Sequence, residues 1–238
     1  MTVTYELDGA RVAHARMDDG KANALNDTSC AGLREAIARA ADDGAGALVI
    51  WGRPGMFSGG IDLAILRDQD ADRRTASLAG VAHSVLAVWT APIPTIAAVT
   101  GHAIAGGAML AMACDRRFVV AGGAKLGANE TALGMVLPTW AVAIVEAAIR
   151  PECRNEVMLL ARLYDPDGAV RVGIAEAALA PGEFEAAIAA AAAEGVALPT
   201  RAYAGNKRML RGAAAEHAAS RVGAEMGAGF GRQKAQAD

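Results

Sequence analysis

The segment 93–114, IPTIAAVTGHAIAGGAMLAMAC, constrains the fold of this chain more than any other, because it contains no Asp, Glu, Lys or Arg. An uncharged stretch of this length has to be buried, either in a protein core or in a bilayer. It opens with the β-branched run TIAAVT, carries His102 and is interrupted by three glycines. These features are typical of a strand, a turn and a helix. We therefore predict a buried strand, a glycine turn and a buried helix, and no membrane span.

Strands and helices alternate along the first part of the chain. VTYELDG and ARVAHARM alternate polar and apolar residues on either side of a turn, which predicts a β-hairpin. Further strands are predicted at GALVIWG, PTIAAV and RFVVAG, and loops at KANALN, RPGMFSGG and TGHAIAGG. Helices are predicted at 28–43, 61–69, 73–90 and 106–114. This alternation indicates an α/β domain.

The last third of the chain is predicted to be helical. Helical patterns occur in TWAVAIVEAAI, in ECRNEVMLLARL and at 183–196 and 200–226, and strand patterns nearly vanish. We therefore predict a core at 1–195, followed by a C-terminal helical region and tail at 196–238. The last ten residues, GFGRQKAQAD, are predicted to be a frayed tail.

The composition argues against several classes of function. A net charge of −3 gives no general attraction for nucleic acid or for an anionic membrane surface. Cys30, Cys114 and Cys153 are far apart and odd in number, which favours a reduced, cytoplasmic protein. The His and Cys residues lack the spacing of metal ligands, and MTVTYELDG lacks the features of a signal peptide. We expect a cytoplasmic protein that binds neither nucleic acid, membrane nor metal.

Two glycine turns each join a strand to a helix. In MFSGGIDLAIL, Gly59 and Gly60 allow the backbone to approach a ligand closely. Asp62 lies in the first helical turn, where a carboxylate can cap free N–H groups, and the N–H of Ile61 is then an unpaired donor. AIAGGAMLAMACD repeats the arrangement, with a second glycine pair that opens a helix at Gly106.

Two N–H groups that point at one position can form an oxyanion hole, in which a single donor contributes roughly 3–4 kcal/mol to the transition state. The alternative is that both segments are ordinary strand-to-helix turns, because neither matches the dinucleotide-binding or P-loop patterns. Asp115, after the second helix, is predicted to be a structural residue. His102 is predicted to pack or to make a hydrogen bond in its loop.

Glu130 is the most unusual carboxylate in the chain. Between Arg117 and Arg150 only Lys125, Glu130 and Glu146 interrupt a run of uncharged residues. Holding an ionised carboxylate in apolar surroundings costs several kcal/mol, so the pKa of such a group is usually raised. Glu130 is therefore a candidate acid/base. The alternatives are a helix-capping residue or an ion pair between subunits.

Several motifs carry a resemblance to a known family. FSGGIDL, GHAIAGGAMLAMACDRRFVV and KLGANETALGMVLP resemble, in this order, the consecutive signatures of the crotonase (enoyl-CoA hydratase/isomerase) superfamily, and KANALN resembles its CoA-binding loop. The resemblance covers residues 1–209. It implies an α/β crotonase-like spiral of ββα units with a C-terminal helical trimerisation region. It also implies an acyl-CoA thioester whose carbonyl oxygen lies between the N–H groups of Ile61 and Gly106.

The family's hydratases carry two glutamates, whereas this chain keeps one. By motif position, Met109 replaces the first glutamate and Glu130 is the second. NETALG followed by LPTW is most similar to the mitochondrial-type Δ3,Δ2-enoyl-CoA isomerases, which also keep a single glutamate.

The chemistry of the two reactions agrees with this likeness. Hydration needs one group to activate water and another to supply the α proton, but moving a double bond needs only one base. The favoured hypothesis is conversion of a 3-enoyl-CoA to its 2-trans isomer. Hydration or another crotonase-type reaction, and acyl-CoA binding without catalysis, are the alternatives.

The resemblance also implies residues that bind the substrate. Lys21 is expected to reach the CoA phosphates from the KANALN loop, and Lys207 from the C-terminal helix. Met109 is expected on the acyl side, and Trp140 either lines the acyl pocket or packs in the core. The full predicted set is Lys21, Ala22, Ala24, Gly59, Gly60, Asp62, Leu63, Gly107, Met109, Trp140 and Lys207. Coenzyme A would be part of the substrate, so no cofactor is expected, and the family's assembly implies a homotrimer or a dimer of trimers.

Overall fold

The computed structural model describes residues 3–227. Its strands are β1 Val3–Leu7, β2 Val12–Met17, β3 Ala47–Trp51, β4 Gly55–Ser58, β5 Thr95–Val99, β6 Gly101–Ile104, β7 Arg116–Val120, β8 Leu126–Gly127 and β9 Ala177–Leu179. Its α-helices are α1 Asp27–Asp42, α2 Leu63–Arg67, α3 Ala71–Trp89, α4 Gly106–Ala113, α5 Thr139–Ala148, α6 Arg154–Met158, α7 Pro166–Val172, α8 Pro181–Val196 and α9 Thr200–Gly227. Short 3-10 turns occur at Thr131–Leu133 and Pro151–Cys153. The predicted tail GFGRQKAQAD lies outside the described residues.

The strands form two sheets. The larger sheet has the order β1-β2-β3-β5-β7-β9, with an antiparallel hairpin at β1–β2 and parallel pairing elsewhere. The smaller sheet has the order β4-β6-β8 and is parallel throughout. After the β1–β2 hairpin and α1, the pairs β3–β4, β5–β6 and β7–β8 each place one strand in the larger sheet and the next in the smaller sheet, and a helical segment follows each pair. This is the repeated ββα arrangement that the resemblance implies.

The larger sheet is covered on both faces by apolar side chains. Leu48 and Ile50 of β3 belong to the core that includes α1, α3 and α4, while Val49 and Trp51 point to the opposite face. That opposite face packs against α8, for instance through Ile188. This alternation along β3 follows from the two-residue period of a strand.

The uncharged segment 93–114 is buried as predicted. All residues of β5 and all residues of α4 are buried. Within residues 3–227, no helix is both long enough and apolar enough to cross a membrane. The interpretation of this segment as a strand, a turn and a helix is confirmed, although part of the predicted loop forms β6.

Other sequence predictions differ from the structure in identifiable ways. The predicted loops RPGMFSGG and TGHAIAGG contain the short strands β4 and β6, and β8, β9 and α7 were not predicted. The helix predicted over ECRNEVMLLARL is confined to a 3-10 turn and α6. Leu159 and Leu160, beyond its end, are each 61% exposed, and the chain becomes extended where Tyr164 pairs with Leu126. A helical pattern in these residues therefore lacks the buried surface that would stabilise a longer helix.

Asp115 fixes the C-terminal helix to the larger sheet. Its carboxylate accepts hydrogen bonds from the backbone N–H of Thr95 at 2.8 Å, from Lys207 at 2.7 Å and from Arg211 at 2.8 Å. Burial alone would raise the pKa of Asp115, but Lys207 and Arg211 outweigh it and lower that pKa. The predicted structural role of Asp115 is confirmed. Lys207, which was predicted to bind CoA phosphates, is buried with its ammonium group in this ion pair, and its contact with CoA stays a prediction.

Asp115→Ala should destabilise the protein strongly. The change leaves the buried Lys207 without its anion, and breaking one partner of a buried pair typically costs about 3–5 kcal/mol. Urea denaturation should show a loss of this size in the free energy of unfolding. Glu152 is an exposed carboxylate, and Glu152→Ala should change that free energy by less than about 0.5 kcal/mol. Equal effects of the two changes would contradict the anchoring role.

Candidate active site

The carboxyl ends of the smaller sheet bring three predicted segments together. Gly59–Ile61 follow β4, Ala105 and Gly106 follow β6, and Glu130 lies three residues after β8. Because β4, β6 and β8 are parallel neighbours, their carboxyl ends meet at one edge. Ligand sites in parallel sheets are commonly found outside this edge.

The first glycine turn lies directly against the second. Gly60 has φ +91°, and a Cβ atom added there would lie 2.9 Å from the oxygen of Ile104 and 3.0 Å from the nitrogen of Gly106. Only glycine combines this φ with so close an approach. Asp62 caps α2 by accepting the N–H of Ala64 at 2.9 Å, as predicted. The N–H of Ile61 has no acceptor among residues 3–227.

The second turn is held in a strained conformation. Ala105 has φ 52° and ψ −125°, a region that costs a non-glycine residue of order 1–3 kcal/mol. Its N–H donates to the oxygen of Gly127 at 2.9 Å, and Gly107 packs so closely on Ser58 that an added Cβ would lie 2.2 Å from the oxygen of Ser58. Helix α4 begins at Gly106, which follows this turn. The N–H of Gly106 has no acceptor in the described part of the chain. Free N–H groups of Ile61 and Gly106 thus lie on two adjoining turns.

The KANALN loop lies along the first glycine turn. The N–H of Gly59 donates to Ala22 and the N–H of Leu25 donates to Gly60, both at 2.8 Å. Asn23, whose role the sequence alone does not reveal, has φ 48°, and its side-chain amide donates to backbone carbonyls on both sides of the loop. The loop that was predicted to bind CoA therefore adjoins the candidate site.

Glu130 is buried, and one of its carboxylate oxygens lacks a partner. The residue is only 5% exposed, and its Oε2 atom has no hydrogen bond. Burial raises the pKa of Glu130 from its usual 4.5 to about 7, where a carboxyl group can both give and take a proton. Glu130 precedes the 3-10 turn Thr131–Leu133, but its side chain makes no capping hydrogen bond. The capping alternative is therefore wrong for the described chain.

Among the described residues, three more buried side-chain polar atoms are also without partners, namely Oδ1 of Asn129, Nε1 of Trp140 and Nε of Arg154. Trp140 is 2% exposed in the first turn of α5, and Met109 is fully buried in the first turn of α4. Asn129 has no recognisable signal in the sequence beyond its place next to Glu130. The roles of Met109 and Trp140 in an acyl pocket stay predictions.

The remaining predicted residues differ in their exposure and in their contacts. Lys21 is exposed on the KANALN loop, and Leu63 is 58% exposed at the start of α2. Lys207 is engaged with Asp115, as described above. His102 accepts a hydrogen bond from the N–H of Lys125 at 3.0 Å, which confirms its predicted loop contact. Within residues 3–227, no three potential metal-ligating side chains form a cluster.

Comparison with known proteins gives a consistent result. A family model described as Enoyl-CoA hydratase/isomerase matches residues 8–228. The chain is 30% identical over 176 residues to human mitochondrial enoyl-CoA delta isomerase 1, a match covering 71% of this chain and 57% of that protein. It is 36% identical over 149 residues to a putative enoyl-CoA hydratase of Thermus thermophilus, covering 60% and 57%. It is 30% identical over 196 residues to probable enoyl-CoA hydratase EchA17 of Mycobacterium tuberculosis, covering 81% and 75%. The chain thus spans little more than half the length of the first two relatives.

Solved structures show the same similarity. Human mitochondrial delta3-delta2-enoyl-CoA isomerase superposes with a TM-score of 0.91 at 25% identity, covering 95% of this chain and 89% of that chain. An enoyl-CoA hydratase/isomerase family protein of Pseudomonas syringae superposes with a TM-score of 0.89 at 28% identity, covering 94% and 98%. The predicted crotonase-like fold is confirmed by these similarities.

Proposed function

Since the chain belongs to the enoyl-CoA hydratase/isomerase family, we propose that it converts a 3-enoyl-CoA to the 2-trans isomer, with Glu130 as the sole acid/base. The observation that carries this proposal is a single buried carboxyl group with a raised pKa at the sheet edge where two backbone N–H groups are free. The relatives include enzymes named as hydratases and as isomerases, so the choice between the two reactions depends on the site of this chain.

In the proposed mechanism, the thioester oxygen accepts hydrogen bonds from the N–H groups of Ile61 and Gly106. Ionised Glu130 takes a proton from the α carbon, and the negative charge moves onto the thioester oxygen, where the two donors stabilise it. Glu130 then returns the proton to C4, and the double bond is left between C2 and C3. A carboxyl group with a pKa of about 7 suits both steps, because it is a competent base and a competent acid at neutral pH.

Hydration is the second candidate, because relatives such as those of Thermus thermophilus and Mycobacterium tuberculosis are named as hydratases. Adding water across the double bond requires a second group that handles a proton. The thioether of Met109 cannot act in this way, and its complete burial in α4 leaves it in apolar surroundings. We therefore favour isomerisation over hydration.

The experiment that separates these candidates uses two substrates. With a 3-enoyl-CoA, the absorbance of the conjugated thioester should rise as the 2-trans isomer accumulates. With crotonyl-CoA, hydration would make the same absorbance fall. This fall should be at least about tenfold slower than the rise seen with the 3-enoyl-CoA, since a missing acid/base group typically lowers a rate by 10²–10⁴-fold. Rapid loss of absorbance from crotonyl-CoA would instead establish hydration. The third possibility, acyl-CoA binding without catalysis, predicts no exchange of the α protons of a saturated acyl-CoA in deuterated water.

The CoA contact of Lys21, the assembly of the protein and its cellular location are also part of this proposal. We propose that Lys21 contacts the CoA phosphates, because it is exposed on the loop that adjoins the first glycine turn. Assembly into a homotrimer or a dimer of trimers and a cytoplasmic location remain predictions. Sedimentation of the purified protein would measure the first of these directly.

A further inference from the structure

The KANALN loop and the first glycine turn are held together by main-chain hydrogen bonds around Ile61. The N–H of Leu25 donates to the carbonyl oxygen of Gly60 at 2.8 Å, and the N–H of Asp62 donates to the carbonyl oxygen of Leu25 at 3.0 Å. Leu25 and Ile61 therefore form an isolated parallel β-bridge. Because the two hydrogen bonds lie on either side of Ile61, the loop restrains the residue whose N–H is a proposed oxyanion donor.

One of these hydrogen bonds fixes the direction of the Ile61 N–H. The carbonyl group of Gly60 and the N–H of Ile61 belong to one peptide unit, which is planar and trans. In such a unit the C=O and N–H bonds point in opposite directions. Since the Leu25 N–H holds the oxygen end, the Ile61 N–H points away from the backbone of the KANALN loop. Hydrogen bonding at the carbonyl oxygen also polarises the peptide unit and strengthens its N–H as a donor.

The side chain of Ser58 makes a second connection between the loop and the turn. Ser58 is fully buried at the end of β4. Its hydroxyl donates to the carbonyl oxygen of Asn23 at 2.8 Å and accepts the N–H of Gly60 at 3.2 Å. The side-chain amide of Asn23 holds the same part of the loop, because it donates to the carbonyl oxygen of Phe57 at 3.2 Å. One hydroxyl group thus joins the KANALN loop to the residue immediately before Ile61.

Ser58 also contacts the second glycine turn. A Cβ atom added at Gly107 would lie 2.2 Å from the carbonyl oxygen of Ser58 and 2.8 Å from its Cβ atom. Gly107 follows Gly106, whose N–H is the other proposed donor. Ser58 therefore touches the KANALN loop and both of the turns that carry the proposed oxyanion donors.

We propose that Ser58 is a positioning residue for the Ile61 N–H, and that it couples binding of the CoA nucleotide at the KANALN loop to the orientation of this donor. This inference rests on the proposed function, in which the loop binds CoA and the Ile61 N–H donates to the thioester oxygen. Enzymes can use the binding energy of groups remote from the reacting carbons to orient the reacting centre. The connection would run from Asn23 through the Ser58 hydroxyl to Gly60, whose carbonyl group shares a peptide unit with that N–H.

A serine that only stabilises the fold makes a different prediction. Loss of its hydroxyl would then lower turnover of every thioester to the same extent, whether or not the thioester carries a nucleotide. In the coupling role, the loss falls chiefly on thioesters that carry the nucleotide, and it falls on kcat because the nucleotide keeps its own contacts with the loop.

The first test is Ser58→Ala, assayed with a 3-enoyl-CoA and with the corresponding 3-enoyl-pantetheine thioester, which lacks the nucleotide. The kcat for the CoA thioester should fall by about threefold to tenfold, the loss expected for one hydrogen bond. The KM for the CoA thioester and the kcat for the pantetheine thioester should each change by less than about twofold. Equal losses of kcat with the two substrates, or no loss with either, would overturn the inference.

Ser84→Ala is the matched control. Ser84 is also fully buried, and its hydroxyl also donates to a backbone carbonyl, that of Gly80 at 2.7 Å within α3. The change removes a hydroxyl of the same kind but leaves the KANALN loop and the first glycine turn intact. The ratio of kcat for the two thioesters should therefore equal that of the wild type. A ratio that falls as far as in Ser58→Ala would contradict a specific role for Ser58.

The second test uses the wild-type protein and needs no turnover. Adenosine 3′,5′-bisphosphate, which carries the nucleotide of CoA but no thioester, is added, and amide hydrogen exchange is measured by NMR. The N–H groups of Gly60 and Leu25 should exchange at least about threefold more slowly in its presence. The N–H of Leu48, which donates to Pro94 at 2.8 Å, is the reference, because a bound ligand slows exchange through global unfolding everywhere. Equal slowing at all three amides, or none at Gly60, would overturn the inference.

Failure of this inference can be told apart from failure of the proposed function. If the wild type turns over neither thioester, the proposed isomerisation fails and the coupling role fails with it. If the wild type turns over both, and Ser58→Ala keeps the wild-type ratio of the two kcat values, the proposed function stands and only the coupling role is lost.

Discussion

Glu130→Gln is expected to reduce isomerisation of a 3-enoyl-CoA by about 10²–10⁴-fold, the range that a positioned acid/base group contributes. Gln has nearly the same shape as Glu but cannot accept and return a proton. The rate is measured by the absorbance of the conjugated product, and the loss should also appear in α-proton exchange of a saturated acyl-CoA. Affinity for that saturated thioester should stay within about twofold, because the two backbone donors remain.

Glu146→Gln is the matched control for this prediction, since Glu146 is an exposed carboxylate on α5. It should retain wild-type activity. The alternative in which Glu130 forms an ion pair between subunits makes the opposite prediction. In that case Glu130→Gln would change the oligomeric state and leave α-proton exchange intact.

Glu130→Gln should also be more stable than the wild type at alkaline pH. The folded pKa of Glu130, about 7, is raised above its usual 4.5, so the folded state binds more protons between these values. Stability is therefore lost as pH rises through this window, by an amount on the order of 3 kcal/mol. Gln avoids the loss, so thermal unfolding should show a higher Tm for Glu130→Gln than for wild type at pH 8 and a smaller difference at pH 4.5. Equal differences at the two pH values would mean that Glu130 is not buried as the structure shows.

Gly106→Pro is expected to lower kcat by about 10²–10³-fold, the effect of removing one donor from an oxyanion hole. Proline lacks the N–H, yet it suits the first position of a helix, which Gly106 occupies in α4. A Cβ atom at Gly106 would meet Ile61 and Leu25 side chains at 3.4 Å, which is ordinary contact. The added Cβ atom should therefore be tolerated, but the proline ring also restricts the conformation of Ala105, so circular dichroism must show that the variant is folded.

Gly106→Ala is the control that isolates the N–H. It adds the same Cβ atom but keeps the donor, so its kcat should lie within about tenfold of wild type. The comparison depends on kcat for a 3-enoyl-CoA measured for both variants. If both lose the same activity, the effect is steric and the backbone donor has no special role.

The candidate residues of the site are easier to find in the sequence than the elements that carry them. Gly59, Gly60, Asp62 and Glu130 stand out in the sequence, because paired glycines and an isolated carboxylate in apolar surroundings are unusual. The strands β4, β6 and β8 do not stand out, since they have two to four residues each and no sustained alternation. Their pairing is created by the folded backbone, which no local pattern reveals.

Long-range contacts account for the other differences. Lys207 has the sequence position of a phosphate ligand, but the partner that buries its charge, Asp115, is 92 residues away in the chain. Trp140 was in the predicted set, but Asn129 became a candidate only when the structure showed which buried atoms lack partners. Satisfaction of a hydrogen bond is a property of three-dimensional packing, and sequence spacing does not contain it.

The strained turn at Ala105 has a consequence for how this architecture diversifies. In the proposed mechanism, activation of the thioester relies on main-chain amides, which every amino acid except proline supplies, so ordinary substitutions would leave it intact. Under that proposal, reaction type depends on a few side chains such as those at positions 109 and 130, and exchanging one of them would redirect the proposed enolate toward a different product while the scaffold stays the same.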